Sequence, residues 1–466
     1  RYAIFILSKY FEKEEEILEP DPQDIHYPDP QDVHYDFSLI LGGASCAYDS
    51  VSGTFYYPLS SDTISGYCPL VNYSDNVKDI HFNGKKLTRK RNNNLGSICT
   101  NKSYELNVQY KQDTSILYEL IFITLPIVQI FTETEIVDEP KTVGKLILNN
   151  PHYRNDHEYS RETESLIGIE IRGNIFLGRP KSSYGIELWS DESGTENKDI
   201  SLLGLRKDDD WILDAMYGDL MRMRNRIAFQ IWNSITELYY FRKEPGAFCG
   251  IHGEYVEVFI NNEYQGIYSL NEKLDRKQLK LKKFTNTTRG LLYKGEEWGD
   301  KVTSFYHYMD TTAGIIWDGW ELQYPKSDQQ ILWAPLYDLT KFIVESSDTM
   351  FENNISQYID INNAVDYYLY INYIMAMDNM GKNTFLARYD TNHVFFIAPW
   401  DMDCSFGRYL DATDIGYKHI LTNNLFERLL QVNPDNYKAK LKERWKFLIE
   451  NELAYDYVIS QFEASR

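Results

Sequence analysis

Short segments of alternating apolar and polar character, separated by Gly, Asn, Asp and Ser, run from Asp36 to about Thr124; Gly53–Tyr57, Lys78–Phe82, Ser103–Tyr110 and Ile116–Ile123 stand out. Their length and spacing predict strands with one buried face, and together a small β-sandwich over 37–124. Near Leu125-Pro126-Ile127-Val128 the texture changes, and a larger mixed domain is predicted over 125–466. Its strand candidates are Lys145–Leu148, Ile167–Arg172, Tyr184–Trp189, Tyr255–Ile260 and Gly266–Leu270, with Asn261-Asn262 where a hairpin could turn. Helical spacing then takes over. Leu220, Met223, Ile227, Ile231 and Ile235 form one stripe across Asp219–Thr236. Further helices are predicted at Leu336–Ile343, at Ala364–Met377 and through Tyr437, Leu441, Trp445 and Leu448. Strands dominate the earlier half and helices the later half, which is an α+β order.

Residues 1–36 break this patterning. They are acidic and Pro-rich, and Pro20–Tyr27 is repeated almost unchanged as Pro28–Tyr35. Two short copies make no repeat architecture, and the prolines remove donors a sheet needs, so the segment reads as a linker that carries His26 and His34 along. Over the whole chain, 48 basic residues against 69 acidic ones give a net charge of −21, which repels a phosphate backbone and excludes a nucleic-acid partner. Basic substrates and metal ions are easier to accommodate. Five cysteines, Cys46, Cys68, Cys99, Cys249 and Cys404, show neither C-x-x-C nor Cys/His spacing, which argues against a zinc site or a disulfide scaffold. Leu120–Ile130, the strongest apolar run, is interrupted by Thr124, Pro126 and Gln129 and falls short of a membrane span. The chain opens at Arg1 rather than Met, so the lack of a leader in it carries no information.

Chemistry concentrates late in the chain. Asp378-Asn-Met-Gly-Lys-Asn383 follows an apolar helix and precedes the strand-like Thr384–Tyr389. The Asp-x4-Asn spacing lets one loop present a carboxylate to a nucleophile and an amide oxygen to a metal, as protein-kinase catalytic loops do. Eighteen residues on, after the apolar Val394–Ala398, comes Pro399-Trp-Asp401-Met-Asp403-Cys-Ser-Phe406-Gly407. Two carboxylates at i and i+2 beyond a buried strand suit a hard cation such as Mg²⁺. An Asp-x-Asp pair alone is more often a turn or a cap; the Asp-x4-Asn ahead of it brings the metal reading level with that one.

From Leu125 to near the C terminus the chain resembles the spore-coat protein H (CotH) family of secreted atypical protein kinases. Four segments carry the resemblance: Ile171-Arg-Gly-Asn174 with Pro180-Lys181-Ser-Ser-Tyr184; Asp210-Trp211 followed by Met223-Arg224-Asn225; Gly266–Asp275 with Glu272-Lys273; and Asp378-x4-Asn383 with Trp400-Asp401-x-Asp403 and Phe406-Gly407. The resemblance implies a two-lobed kinase-like domain behind the small all-β domain. It implies ATP- and Mg²⁺-dependent phosphoryl transfer to serine or threonine of a secreted or surface protein. Asp378 then matches the catalytic aspartate, Asn383 and Asp401 the metal ligands, and Asp403 a second ligand or a neighbour of one. Lys181 is the candidate phosphate-pairing lysine, Arg172 and Arg224 are further phosphate candidates that could equally be structural ion pairs, and Glu272 would orient Lys181 or a metal.

One departure stands out: after Arg172-Gly-Asn174, where the family has small hydroxyl residues, the chain has Ile175-Phe176. His393 reads as a hairpin-turn residue rather than a base. Glu296, Glu297 and Asp300 beside Trp298 read as a solvated loop or, more sharply, as recognition of a basic substrate peptide. The alternative to an active kinase is a surface interaction protein that keeps the fold without the chemistry.

Overall fold

The computed structural model describes residues 37–152, 160–173, 180–297, 299–310, 314–408 and 419–465. The linker at 1–36, the Ile175-Phe176 departure and Trp298 therefore lie outside the described residues. The chain is a mixed α+β protein. It divides into two compact units, one built from the described residues up to Ala215 together with Gly253–Glu272, the other from Met216–His252 and from Lys273 onward.

In the first unit every element from Leu39 to Ile123 is a strand, arranged as a six-stranded, a four-stranded and a two-stranded sheet. Strand Ser103–Tyr110 shows why: Tyr104, Leu106, Val108 and Tyr110 are buried, while Ser103 and Glu105 on the opposite face are exposed. These residues pack with Phe55, Tyr57, Ile80, Leu120 and Phe122 into a core of their own. Beyond them a seven-stranded barrel closes through Ile127–Thr132, Thr142–Asn149, Glu162–Arg172, Ser183–Trp189, Asp210–Asp214, Glu263–Glu272 and Gly253–Ile260. Its last pairing, Ile127–Thr132 on Gly253–Ile260, is parallel. Every strand predicted in this stretch is present, lengthened by a few residues. Asn261 and Asn262 take φ of 49° and 62°, the left-handed pair that a two-residue hairpin needs.

The second unit holds a five-stranded antiparallel sheet in the order Ile316–Trp317, Trp320–Tyr324, Leu291–Gly295, Thr384–Arg388, Phe395–Pro399. Around it lie helices α1 (Arg224–Ile235), α2 (Ala334–Glu345), α3 (Asp348–Asn354), α4 (Ile361–Ile374), α5 (Asn424–Val432), α6 (Tyr437–Glu450) and α7 (Tyr455–Ala464). Asp360 caps α4 by accepting from the N–H groups of Asn362 and Asn363. The buried Asn363 then locks α4 to the sheet, its amide exchanging two bonds with the main chain of Ile397 (2.7 and 3.0 Å). On the other side of α4, Tyr370 donates to the Ala228 carbonyl of α1, and Trp232 packs against Tyr367 and Tyr370.

The stripe predicted for Asp219–Thr236 is only partly helical. Asp219 draws the N–H groups of Met221, Met223 and Arg224 onto its carboxylate, which holds residues 219–223 in a turn and delays the helix to Arg224. Leu220, counted in the stripe, is 83% exposed. All five cysteines are free, and no described helix is long and apolar enough to cross a membrane.

Candidate functional site

Helix α4 stops where Met375 enters the left-handed region (φ 55°) and its N–H closes on the Ile371 carbonyl. A short 3₁₀ turn, Met377–Met380, then carries Asp378 and Asn379 into the interior. Asp378 is 5% exposed, and its Oδ1 is buried without a hydrogen-bond partner among the described residues. Burial raises the pKa of this carboxyl, and the Lys382 ammonium opposes the rise. A buried carboxylate oxygen with no donor is costly to fold around, and it is an acceptor in want of a proton or a cation.

The loop returns through Asn383, whose N–H donates to the Gly295 carbonyl (2.9 Å). Strand Leu291–Gly295 must end in glycine here, because a Cβ at 295 would lie 1.9 Å from the Gly381 oxygen. Strand Phe395–Pro399 delivers the second loop beside the first. Trp400 N–H donates to the Asn383 carbonyl (2.9 Å), and Asn383 Nδ2 reaches the Asp401 carbonyl (3.5 Å). Between the loops sits Asn379, fully buried, whose Nδ2 donates to the Asn383 carbonyl (2.8 Å) and the Trp400 carbonyl (2.7 Å). Its own carbonyl accepts from the hydroxyls of Tyr367 and Thr384.

Asp403 and Asp401 share surroundings with Asp378. The buried Cys404 thiol is pushed well above its ordinary pKa by burial first, and then by the carboxylates of Asp403, Asp378 and Asp401. All three carboxylates thus act on one thiol. Met402 N–H donates to Asn225 Oδ1 on the first turn of α1 (2.9 Å), and Ser405 donates to the Met402 carbonyl (2.6 Å). Asn383 and Asp401 adopt φ of 52° and 47°, a region costly for side-chain-bearing residues and least so for Asn and Asp. Backbone held in this region collects at functional sites.

The structure therefore gathers Asp378, Asn383, Asp401 and Asp403 into one loop pair. Their donors are carboxylate and amide oxygens, the set a Mg²⁺ ion takes from protein when phosphate oxygens complete its shell. Three candidates lie in the other unit. There Lys181 donates to the Ile267 carbonyl with its ammonium 4.1 Å from the centre of the Tyr268 ring, Glu272 accepts from the Arg206 N–H (2.9 Å), and Arg172 closes its strand opposite Ser183. Arg224 is ion-paired with the buried Asp219. His393 sits in the turn between Thr384–Arg388 and Phe395–Pro399, its ring stacked on Tyr239. Glu296 pairs with Lys294 (2.5 Å). A separate acidic group, Asp199, Asp208 and Asp209, lies in the first unit with Arg206 paired to Asp208.

Sequence reasoning missed Asn379, Gly295 and the role of Asn225. Asn379 stands next to Asp378, yet its partners are main-chain atoms up to 21 residues away, which no spacing rule reports.

The model of the family described as CotH kinase protein matches residues 169–466. Inner spore coat protein H of Bacillus subtilis (strain 168) is 20% identical to this chain over 300 residues, covering 64% of the chain and 74% of that protein.

Proposed function

The chain belongs to the CotH kinase protein family, and from that premise we propose that it transfers the terminal phosphoryl group of ATP to a serine or threonine hydroxyl of a secreted or surface protein. In this reading the chain is a two-lobed atypical kinase behind a small all-β domain, and the spore-coat name of its B. subtilis relative supports an extracytoplasmic setting. The observation that carries the proposal is the buried, unpartnered Oδ1 of Asp378 beside Asn383 and Asp401.

Asp378 accepts a hydrogen bond from the acceptor hydroxyl and takes its proton as the new O–P bond forms; the bond from the γ-phosphorus to the bridging oxygen breaks and ADP leaves. Asn383 and Asp401, with Asp403 beside them, would hold Mg²⁺. The ion, when bound, neutralises charge on the β- and γ-phosphates. Lys181, Arg172 and Arg224 are the phosphate-pairing candidates, and Glu272 is the candidate to orient Lys181. The acidic surplus of the chain favours a basic protein substrate.

A second reading is an interaction protein that keeps the fold without catalysis. It is favoured by the bonds that Lys181 makes to Ile267, Glu272 to Arg206 and Arg224 to Asp219.

Calorimetric titration of ATP with and without Mg²⁺, into the protein and its Asp401→Ala variant, separates the two readings. Metal-dependent binding lost in the variant supports the kinase, and Asp378→Asn should then bind nucleotide yet transfer no phosphate. No binding to either protein overturns the kinase reading.

A further inference from the structure

Helix α6 turns one face to the core and leaves a basic face uncovered. Tyr437 and Leu448 are buried, and Leu441 and Trp445 pack against the same core. Arg444 fixes the rotation of the helix by pairing with Asp366 (2.6 Å) and donating to the Ile235 carbonyl. At its start, Asn433 Oδ1 accepts from the Lys438 N–H (2.8 Å). On the outer side Lys438, Lys442 and Lys446 recur at every fourth position, all three exposed. Lys440 is instead paired with Asp435. Among the described residues the ammonium groups of Lys438, Lys442 and Lys446 make no hydrogen bond or ion pair, and the exposed Glu443 and Glu450 of the same helix pair with none of them.

Like charges at i and i+4 oppose helix formation, and here three stand in a row on a chain whose net charge is −21. Helical rise sets successive lysines about 6 Å apart along the axis and about 40° apart around it. An extended polypeptide presents alternate side chains on one face at about 6.7 Å, a spacing that the flexible four-carbon stem of lysine can follow. Ile449, 41% exposed, stands in the same arc about 4.5 Å beyond Lys446. Between Lys438 and Lys446 the exposed face otherwise holds only Ala439 and Glu443, so a partner helix would find no apolar seam to bury. An anionic bilayer is repelled by the remainder of so acidic a chain.

We propose that Lys438, Lys442, Lys446 and Ile449 form a docking surface for an extended acidic polypeptide segment of a partner protein, with carboxylates at alternate positions and an apolar residue at the end that meets Ile449. Charge complementarity supplies the attraction and sets the register, and Ile449 adds a small apolar contact. Such docking needs no catalysis at the loop pair.

Fluorescence anisotropy with the full chain at low salt tests this, using a labelled peptide with aspartate at alternate positions and leucine at each end. A control peptide has the same composition with its aspartates contiguous. The alternating peptide should bind several-fold more tightly than the control. Lys442→Gln should weaken it several-fold, and the triple change Lys438→Gln, Lys442→Gln and Lys446→Gln by about tenfold or more, as should high salt. Ile449→Ser should weaken the leucine-ended peptide and leave a serine-ended one unchanged. Thermal unfolding of the variants should match the parent, which separates lost docking from lost fold. Equal affinity for the two peptides, or an affinity untouched by the triple change, overturns the proposal. It falls equally if the parent but not the triple variant sediments with phosphatidylserine vesicles while binding no peptide. A dimer that the triple change dissolves, again without peptide binding, would assign the face to a second copy of the chain and overturn it too.

Discussion

Removing the Asn379 side chain should loosen both loops of the candidate site while touching neither proposed ligand. The Trp400 carbonyl, which is part-buried, loses its Asn379 donor at a cost of about 1–3 kcal/mol. The Asn383 carbonyl fares better because Trp400 N–H still reaches it, so its loss is about 0.5–1.5 kcal/mol. Against this, Asn379 Oδ1 is buried without a partner in the native protein, and deleting it returns about 1 kcal/mol. The net expectation for Asn379→Ala is a destabilisation of about 2 kcal/mol. Asn379→Asp sharpens the test, since it sets a carboxylate against two carbonyl oxygens; it should be at least as damaging at neutral pH and recover partly in acid, where a protonated carboxyl donates once. Urea denaturation gives the magnitude, and hydrogen exchange at the Asn383 and Trp400 amides gives the location. An alanine variant within about 0.5 kcal/mol of the parent, or an aspartate variant as stable as the parent, would refute the role given to this amide.

Three other outcomes follow from the same geometry. Gly295→Ala should displace the Met380–Asn383 loop, because the added Cβ meets the Gly381 carbonyl at 1.9 Å and neither is a side chain that can swing away; metal-dependent nucleotide binding should weaken, and an unchanged titration would place the ligands elsewhere. Asp219→Ala strands the largely buried Arg224 guanidinium and three main-chain donors, and should cost about 3–5 kcal/mol in denaturation experiments, with Asp219→Asn costing less. Asn383→Gly relieves a left-handed backbone while deleting a proposed metal ligand, so thermal stability should hold or rise while Mg²⁺-dependent ATP binding falls.

What the sequence disclosed was local periodicity and local spacing. The barrel strands were legible because alternation reports a half-buried strand wherever it sits, and the Asn261-Asn262 hairpin because only residues tolerant of positive φ close so short a loop. The start of α1 was misjudged for a physical reason: Leu220 fits the apolar stripe, but the Asp219 carboxylate competes for the same N–H groups that a first helical turn would leave open. The loop pair at 378–383 and 399–407 was legible as two motifs, through Asp-x4-Asn and Asp-x-Asp. What joins them was not, since it is main-chain bonding between strands distant in sequence.

That joining accounts for how the same residues can serve fold and chemistry. The main chain of Asn383 makes the structural bonds: its N–H goes to Gly295, and its carbonyl accepts from Trp400 and Asn379. Asn379, one residue past Asp378, supplies the side-chain cross-brace. Main-chain bonds and the Asn379 amide thereby hold the two loops together, and Asp378 is left with an unsatisfied oxygen in a place where water cannot easily compensate it. A loop held this way costs stability at Asp378 and in the left-handed backbone at Asn383 and Asp401. The surrounding structure, with Asn363 on Ile397, Tyr367 on Asn379 and Asn225 on Met402, offsets that cost. The carboxylate oxygen left unmet at the end of α4 is the physical ground on which the chemistry is proposed to lie there.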